Sequence, residues 1–239
     1  MDEWGWTGER RKTKYTPLSG WNKQIWMECT SCGWRGKMIT APECTACGMP
    51  ALKPTRQRVF VNSLSDLFED RQEVLPWRNE FFALSQMYPN MDYLLLTKRP
   101  ENIARFAPRD WMRFGWPKNI WLGVSVENQA RADERIPLLL KVPAAIKWLS
   151  VEPMLENINI GDGIILRFLL NWVVVGGESG PGCRPMDVKW AHSVRDQCKH
   201  NGVAFYMKQL GGETNHRSEL ADLPKDLQIR EWPQVEAVR

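Results

Sequence analysis

No stretch of this sequence approaches the roughly 20 consecutive apolar residues that a membrane helix needs, so no membrane span is expected. The opening MDEWGWTGERRKTKY carries charges with no apolar core behind them, which excludes a secretory signal and predicts a cytoplasmic protein. Histidine is scarce, at three residues, and no Ser/His/Asp arrangement can be read from them. His192 falls inside a predicted helix and His200 near its end, where packing and helix-terminal charge account for them. The glycine-rich GGESGPGCRP, residues 176–185, has neither of the glycine spacings that cradle nucleotide phosphates. Cys183 within it has only Arg184 as a basic neighbour, the setting of an inert thiol.

In bulk the chain is ordinary for a soluble protein. Of its 239 residues, 43% are hydrophobic and 25% charged, enough for one large domain with a small insert. The net charge of +4 permits an anionic partner without requiring one. Much of the basic excess sits in ERRKTKY near the start and in KPTRQR, residues 53–58. Such segments are either solvated arms or contacts to nucleic acid. The 13 tryptophans are spread singly along the chain. Core packing explains rings placed this way; any that are exposed offer stacking platforms for bases.

Cysteine is patterned. CTSCG and CTACG place Cys29, Cys32, Cys44 and Cys47 as two Cys-x-x-Cys knuckles, with eleven residues, 33–43, between Cys32 and Cys44. Each knuckle lets two thiolates grip one ion from a tight turn that its following glycine helps to close. Two knuckles make a tetrahedral cage of four sulfurs, and such structural sites hold zinc, with mononuclear iron as the rival. All positions on the ion are then taken by protein, so the site is structural and not catalytic.

After residue 58 a rhythm begins. Short, nearly continuous apolar runs recur every 25 to 35 residues: RVFVNSLSD (58–66), DYLLLTKRP (92–100), NIWLGVSVEN (119–128), IKWLSVEP (146–153), NWVVVGGESG (171–180) and VAFYMKQLGG (203–212). Runs of this kind read as parallel strands covered on both faces. Helices are expected between them: 76–88; 128–140, ending or kinking at Pro137; and 187–202, with Asp187 as N-cap and Gly202 as stop. Strand and helix in alternation give an α/β fold. Every run carries polar residues at its carboxyl end, which suits a barrel, where working residues gather on that rim. Only six strands are visible, so the expected architecture is a partial or open (β/α) barrel of parallel strands. The expected segments are an N-terminal arm (1–28), a zinc-ribbon insert (29–53), the barrel (54–212) and a C-terminal tail (213–239).

The candidate pocket is therefore the rim: Asn62, Ser63, Asp66, Lys98, Arg99, Ser125, Glu127, Asn128, Glu152, Glu178, Ser179, Arg184, Lys208 and Gln209. Its mixed signs suit a zwitterionic or phosphate-bearing ligand, or charges that pair with one another. Its carboxylates can act as acid and base where their surroundings push their pKa values apart.

The ordered motifs VFVNSLSDLF, LLLTKRPEN, IWLGVSVENQ, WLSVEPML, WVVVGGESGPGCRPM and FYMKQLGG resemble the phage-associated three-Cys-motif family of uncharacterised proteins over residues 58–212. That family is similar to radical S-adenosylmethionine enzymes. The resemblance implies a partial parallel barrel, S-adenosylmethionine and an iron–sulfur cluster held by three cysteines near a Gly-Cys-x-x-Cys-Tyr stretch. This sequence has no cysteine before residue 29. The expectation is a short form that does not build the cluster alone, with a second polypeptide supplying the missing segment. The alternative is a non-catalytic module that binds nucleic acid or a partner subunit.

Overall fold

The computed structural model describes residues 17–37, 43–62, 65–161, 163–212 and 220–233. Ser63 lies outside these residues, as do the ERRKTKY segment and parts of the arm and tail. The chain divides into two compact units. One comprises Met1–Val59, Glu69–Tyr93 and Ala237–Arg239; the other comprises Phe60–Phe68 and Leu94–Glu236.

The first unit opens with a short helix, α1 (Pro17–Asn22), and three short strands, β1 (Trp26–Cys29), β2 (Arg35–Lys37) and β3 (Leu52–Thr55). They form an antiparallel sheet in the order β2-β1-β3, with Trp26 opposite both Lys37 and Thr55. Little apolar surface is buried here. Cross-strand charge helps instead: Glu28 and Arg35 are register partners with a 3.0 Å ion pair. The 14-residue helix α2 (Val74–Met87) buries Val74, Phe81 and Phe82, and Phe81 meets the Tyr93 ring edge-on at 5.6 Å.

The six apolar runs become β4 (Gln57–Val61), β5 (Met91–Thr97), β6 (Ile120–Ser125), β7 (Ile146–Val151), β8 (Trp172–Gly176) and β9 (Ala204–Gln209). They form one parallel sheet curled into a half-barrel, in the order β4-β5-β6-β7-β8-β9. Spatial order follows chain order throughout. No point exists where the winding reverses, which separates this fold from a doubly wound sheet. The remaining helices are α3 (Ile103–Phe106), α4 (Arg109–Phe114), α5 (Gln129–Leu140), α6 (Ile164–Leu169) and α7 (Val188–Asn201). Two of them match the sequence pattern closely. α7 starts on the Asp187 side chain, which accepts from Lys189 N, and stops at Gly202, whose φ of +67° needs no Cβ. α5 runs through Pro137 to Leu140 instead of ending there. The missing N–H costs one hydrogen bond a single turn from the end, and Ala132, Ile136 and Leu139 stay buried.

Alternation along β6 to β9 divides the second unit's core. One face gathers Leu94, Trp121, Ile146, Trp148, Trp172 and Val174, with Tyr206 and Trp232 packed against them. Register makes this cluster: Trp121 lies opposite Ile146, Trp148 opposite Trp172, and Val174 opposite Tyr206. Trp148 and Trp172 are 5.3 Å apart, and Trp232 stacks on Trp172 at 4.6 Å. Each such ring removes some 150–250 Å² from water. The opposite face carries Leu122, Leu149, Val173, Val175 and Phe205; α5 packs on β6 and α7 on β9. None of the described tryptophans is exposed, in keeping with packing.

The outer edge of β9 is covered. Met207 N donates to Ile229 O at 2.8 Å and Glu231 N to Phe205 O at 2.9 Å, so residues 229–231 add a short antiparallel strap. Trp172 Nε1 donates to Glu231 O at 2.9 Å, which satisfies a buried indole and seats Trp232 beside it.

Gly123 on β6 is the register partner of Trp148, and a Cβ there would run into the indole ring. The Trp148 ring is buried between Trp172, at 5.3 Å, and Phe60, edge-on at 6.3 Å, so it has little room to yield. Gly123→Ala is expected to lower stability by about 1–3 kcal/mol in urea unfolding; a loss within about 0.5 kcal/mol, the range of neutral surface changes, would show that Trp148 is not confined.

Candidate functional site

The four cysteines are brought together by two hydrogen-bonded turns. Cys29 N donates to Trp34 O at 2.8 Å and Gly33 N to Cys29 O at 2.9 Å; Cys44 N donates to Met49 O at 2.9 Å and Gly48 N to Cys44 O at 2.8 Å. The two knuckles are thus built alike, and Gly33 and Gly48 both have positive φ, +75° and +72°. Each contributes one buried thiol, Cys29 or Cys44, and one exposed, Cys32 or Cys47. The Cys29–Cys47 and Cys32–Cys44 sulfurs are each 3.7 Å apart, and all four lie within 4.8 Å of one another. Four Zn–S bonds of about 2.3 Å in a tetrahedron have edges of about 3.8 Å. The cage therefore fits one zinc ion. It does not fit a four-iron cluster, whose thiolates spread over the corners of a cube instead of closing on one centre.

At the carboxyl edge of the sheet, several of the expected site residues are part of the backbone framework. Asp66 is a staple: its carboxylate accepts from Phe68 N (2.9 Å), Thr97 Oγ1 (2.8 Å), Lys98 N (2.9 Å) and Arg99 Nη1 (3.2 Å). Asn62 has φ +58° and its carbonyl accepts from Ser65 N at 3.2 Å, turning the chain beyond β4. Asn128 caps α5, accepting from Arg131 N at 2.9 Å. Gln209 donates to Gly177 O at 2.9 Å. Ser125 is buried, and its carbonyl accepts from Arg135 at 2.8 Å. Ser179 pairs with Gly212 as an isolated bridge.

The loop after β8 is self-contained. Arg184 grips the Glu178 carboxylate with its Nε at 2.8 Å, its Nη2 at 2.7 Å and its backbone N at 2.8 Å. Hydrogen bonds from the Arg184 side chain and backbone hold that carboxyl down to about 2. The glycines of this stretch allow a close approach, but to the protein itself: side chains at Gly177 or Gly211 would collide with the backbone of the neighbouring strand end.

Two lysine–glutamate pairs remain. At the end of β6, Glu127 is 5% exposed and sits between Lys98 Nζ on one oxygen and Arg135 Nη1, at 3.0 Å, on the other. Burial raises its pKa, but the Lys98 hydrogen bond and the Lys98 and Arg135 charges outweigh burial and hold it below the ordinary value. A depressed carboxylate pKa stabilises the fold fully above the unfolded value of about 4.3, and that contribution is lost as pH falls through the folded value. At the end of β7, Glu152 meets Lys208 Nζ at 2.7 Å, and Lys208 belongs to β9. The carboxylates are matched in register: Ser125 pairs with Ser150, and each glutamate follows its serine by two residues.

Two members of this site are not among the expected site residues. Arg135 lies on the buried stripe of α5 and is 2% exposed; its signal is a charge placed in line with Ala132, Ile136 and Leu139. Gly176 leaves room for Glu152. In the other unit, the basic segment 53–58 is partly spent on ion pairs, Arg56 with Asp92 at 3.4 Å and Lys53 with Glu28 at 4.0 Å.

A family match spans residues 28–235, from just before the first ribbon cysteine past the strap on β9. The chain belongs to DUF5131, a family of proteins of unknown function. No curated protein and no solved structure matches it. In this DUF5131 chain no described helix is long and apolar enough to cross a membrane.

The metal site carries its own test. Purified chain is expected to hold about one zinc, bound as four thiolates, and to lose it on Cys44→Ser substitution, with unfolding of the small sheet first. Zinc content unchanged by that substitution would contradict the cage.

Proposed function

We propose that this chain is a zinc-ribbon protein whose half-barrel binds a small ligand of mixed charge at the carboxyl edge of its sheet. The observation that carries the reading is the pair of register-matched carboxylates, Glu127 and Glu152, each held by a lysine at the same edge. Parallel barrels present ligands to that edge because side chains from successive strands converge there. The edge offers carboxylates to a cationic group and ammonium groups to an anionic one. S-adenosylmethionine carries both kinds of charge. It is the first ligand to test because the rim motifs resemble phage-associated proteins similar to radical S-adenosylmethionine enzymes.

The four ribbon cysteines close on one ion and leave no open coordination position, so no radical step is assigned to this chain. The ribbon is a structural clip. Its zinc stabilises a small sheet that buries too little apolar surface to hold itself. An iron–sulfur cluster, where the wider family needs one, would have to come from other residues or from a second polypeptide.

Titration calorimetry with S-adenosylmethionine on the zinc-loaded chain tests the reading. Binding is expected in the micromolar to millimolar range, roughly −8 to −4 kcal/mol, and is expected to be lost in Lys98→Met. No binding to the wild-type chain, or equal binding to Lys98→Met, would overturn it. Anaerobic treatment with iron and sulfide is expected to leave no retained cluster.

A further inference from the structure

Lys208 and Glu152 are not on neighbouring strands. β8 runs between them, so the Glu152 side chain must cross the end of β8 to reach its partner. It crosses at Gly176. A Cβ built there would lie 2.7 Å from Glu152 Oε1 and 2.8 Å from its Cγ. The backbone beside Glu152 is pinned from both sides, by Met154 N to Gly176 O at 2.9 Å and Leu155 N to Glu127 O at 3.1 Å. The carboxylate therefore has a fixed root and reaches its partner over a residue with no side chain.

The two pairs at this edge differ in access. Glu127 is enclosed between Lys98 and the buried Arg135. The Lys208 side chain is 51% exposed and that of Glu152 19%. With half of the Lys208 side chain in water, its ammonium stays solvated when the pair opens, so opening costs less here than at the enclosed Glu127. Opening strands two charges, and the ligand has to answer both. An anion alone would take Lys208 and leave Glu152 unpaired; a cation alone would do the reverse. A ligand with an ammonium and a carboxylate a few bonds apart replaces one ion pair with two and strands nothing.

We infer that the Glu152–Lys208 pair is the exchangeable receptor for the α-amino-acid end of a ligand, with Gly176 as the residue that positions it. The ligand carboxylate takes Lys208 and its ammonium takes Glu152. This rests on the reading of the edge as a ligand site, but the pairing over Gly176 can be measured with no ligand present.

Two arms separate the claims. In the first, the intact chain is treated with a small amine-labelling reagent and Lys208 is compared with the exposed Lys199. Glu152→Gln and Gly176→Ala are both expected to raise Lys208 labelling by about threefold, with Lys199 unchanged. Unchanged Lys208 labelling in both variants would overturn the pairing. Glu152→Gln adds no atom to the strand, so it decides the point if Gly176→Ala fails to fold. In the second arm, L-alanine, acetate and methylammonium are titrated against chain carrying ¹³C-labelled lysine, with Lys208 assigned through Lys208→Arg. Alanine is expected to shift the Lys208 signal at concentrations where the other two do not, and to lose this effect in Glu152→Gln. An equal shift with acetate, or none with alanine, would overturn the receptor. Calorimetric binding of S-adenosylmethionine that survives such a result would leave the edge a ligand site and retire only this assignment.

Discussion

A carboxylate buried at the end of a strand must be answered by a cation, and Glu127 sets that demand for the second unit. Its charge is satisfied from two directions, by Lys98 on β5 and Arg135 on α5. Breaking one side of such a buried pair costs about 3–5 kcal/mol, because the other charge is left in a medium that solvates it poorly. This fixes where α5 lies against β6 and how β5 ends. The Asp66 staple then gathers Lys98 N, Thr97 and Arg99 at the same place. The edge is built before any ligand arrives.

The tryptophan cluster does the complementary work. Large rings from β6, β7 and β8 fill one face of the curled sheet, and the strap brings Trp232 onto Trp172. With that face filled, the carboxyl edge is where the sheet presents polar groups. Glycine makes both arrangements possible. Gly123 gives Trp148 room to lie flat, and Gly176 gives Glu152 room to cross β8.

Much of this was legible in the sequence, for physical reasons. Strands buried on both faces have to be apolar almost throughout, so the six runs were visible as runs. Thiolates on one tetrahedral ion have to come from tight turns, so Cys-x-x-Cys-Gly was visible as a cage. The pairing of the rim charges was not legible. Asp66, Asn128 and Gln209 look like site residues in a motif; their side chains bond backbone groups, and Asp66 also takes Thr97 Oγ1 and Arg99 Nη1. Glu178 and Arg184 look convergent and close on each other. Arg135 is marked only by its place in line with the apolar stripe of α5, and its partner Glu127 is set by the packing of the helix. The Glu152–Lys208 contact joins two strands that are not neighbours in the sheet, and no local pattern encodes that. Pro137 failed as a helix stop because packing of the apolar stripe outweighs one lost hydrogen bond.

The central claim is that the edge is organised around an ionised, doubly held Glu127. Titration of its side-chain carboxyl by ¹³C NMR, assigned through Glu127→Gln, addresses it most directly. The expected midpoint lies below the ordinary glutamate value of about 4.3, with the signal ionised throughout the neutral range. A midpoint at or above that value would mean that burial wins over Lys98 and Arg135, and the account of the edge would fail.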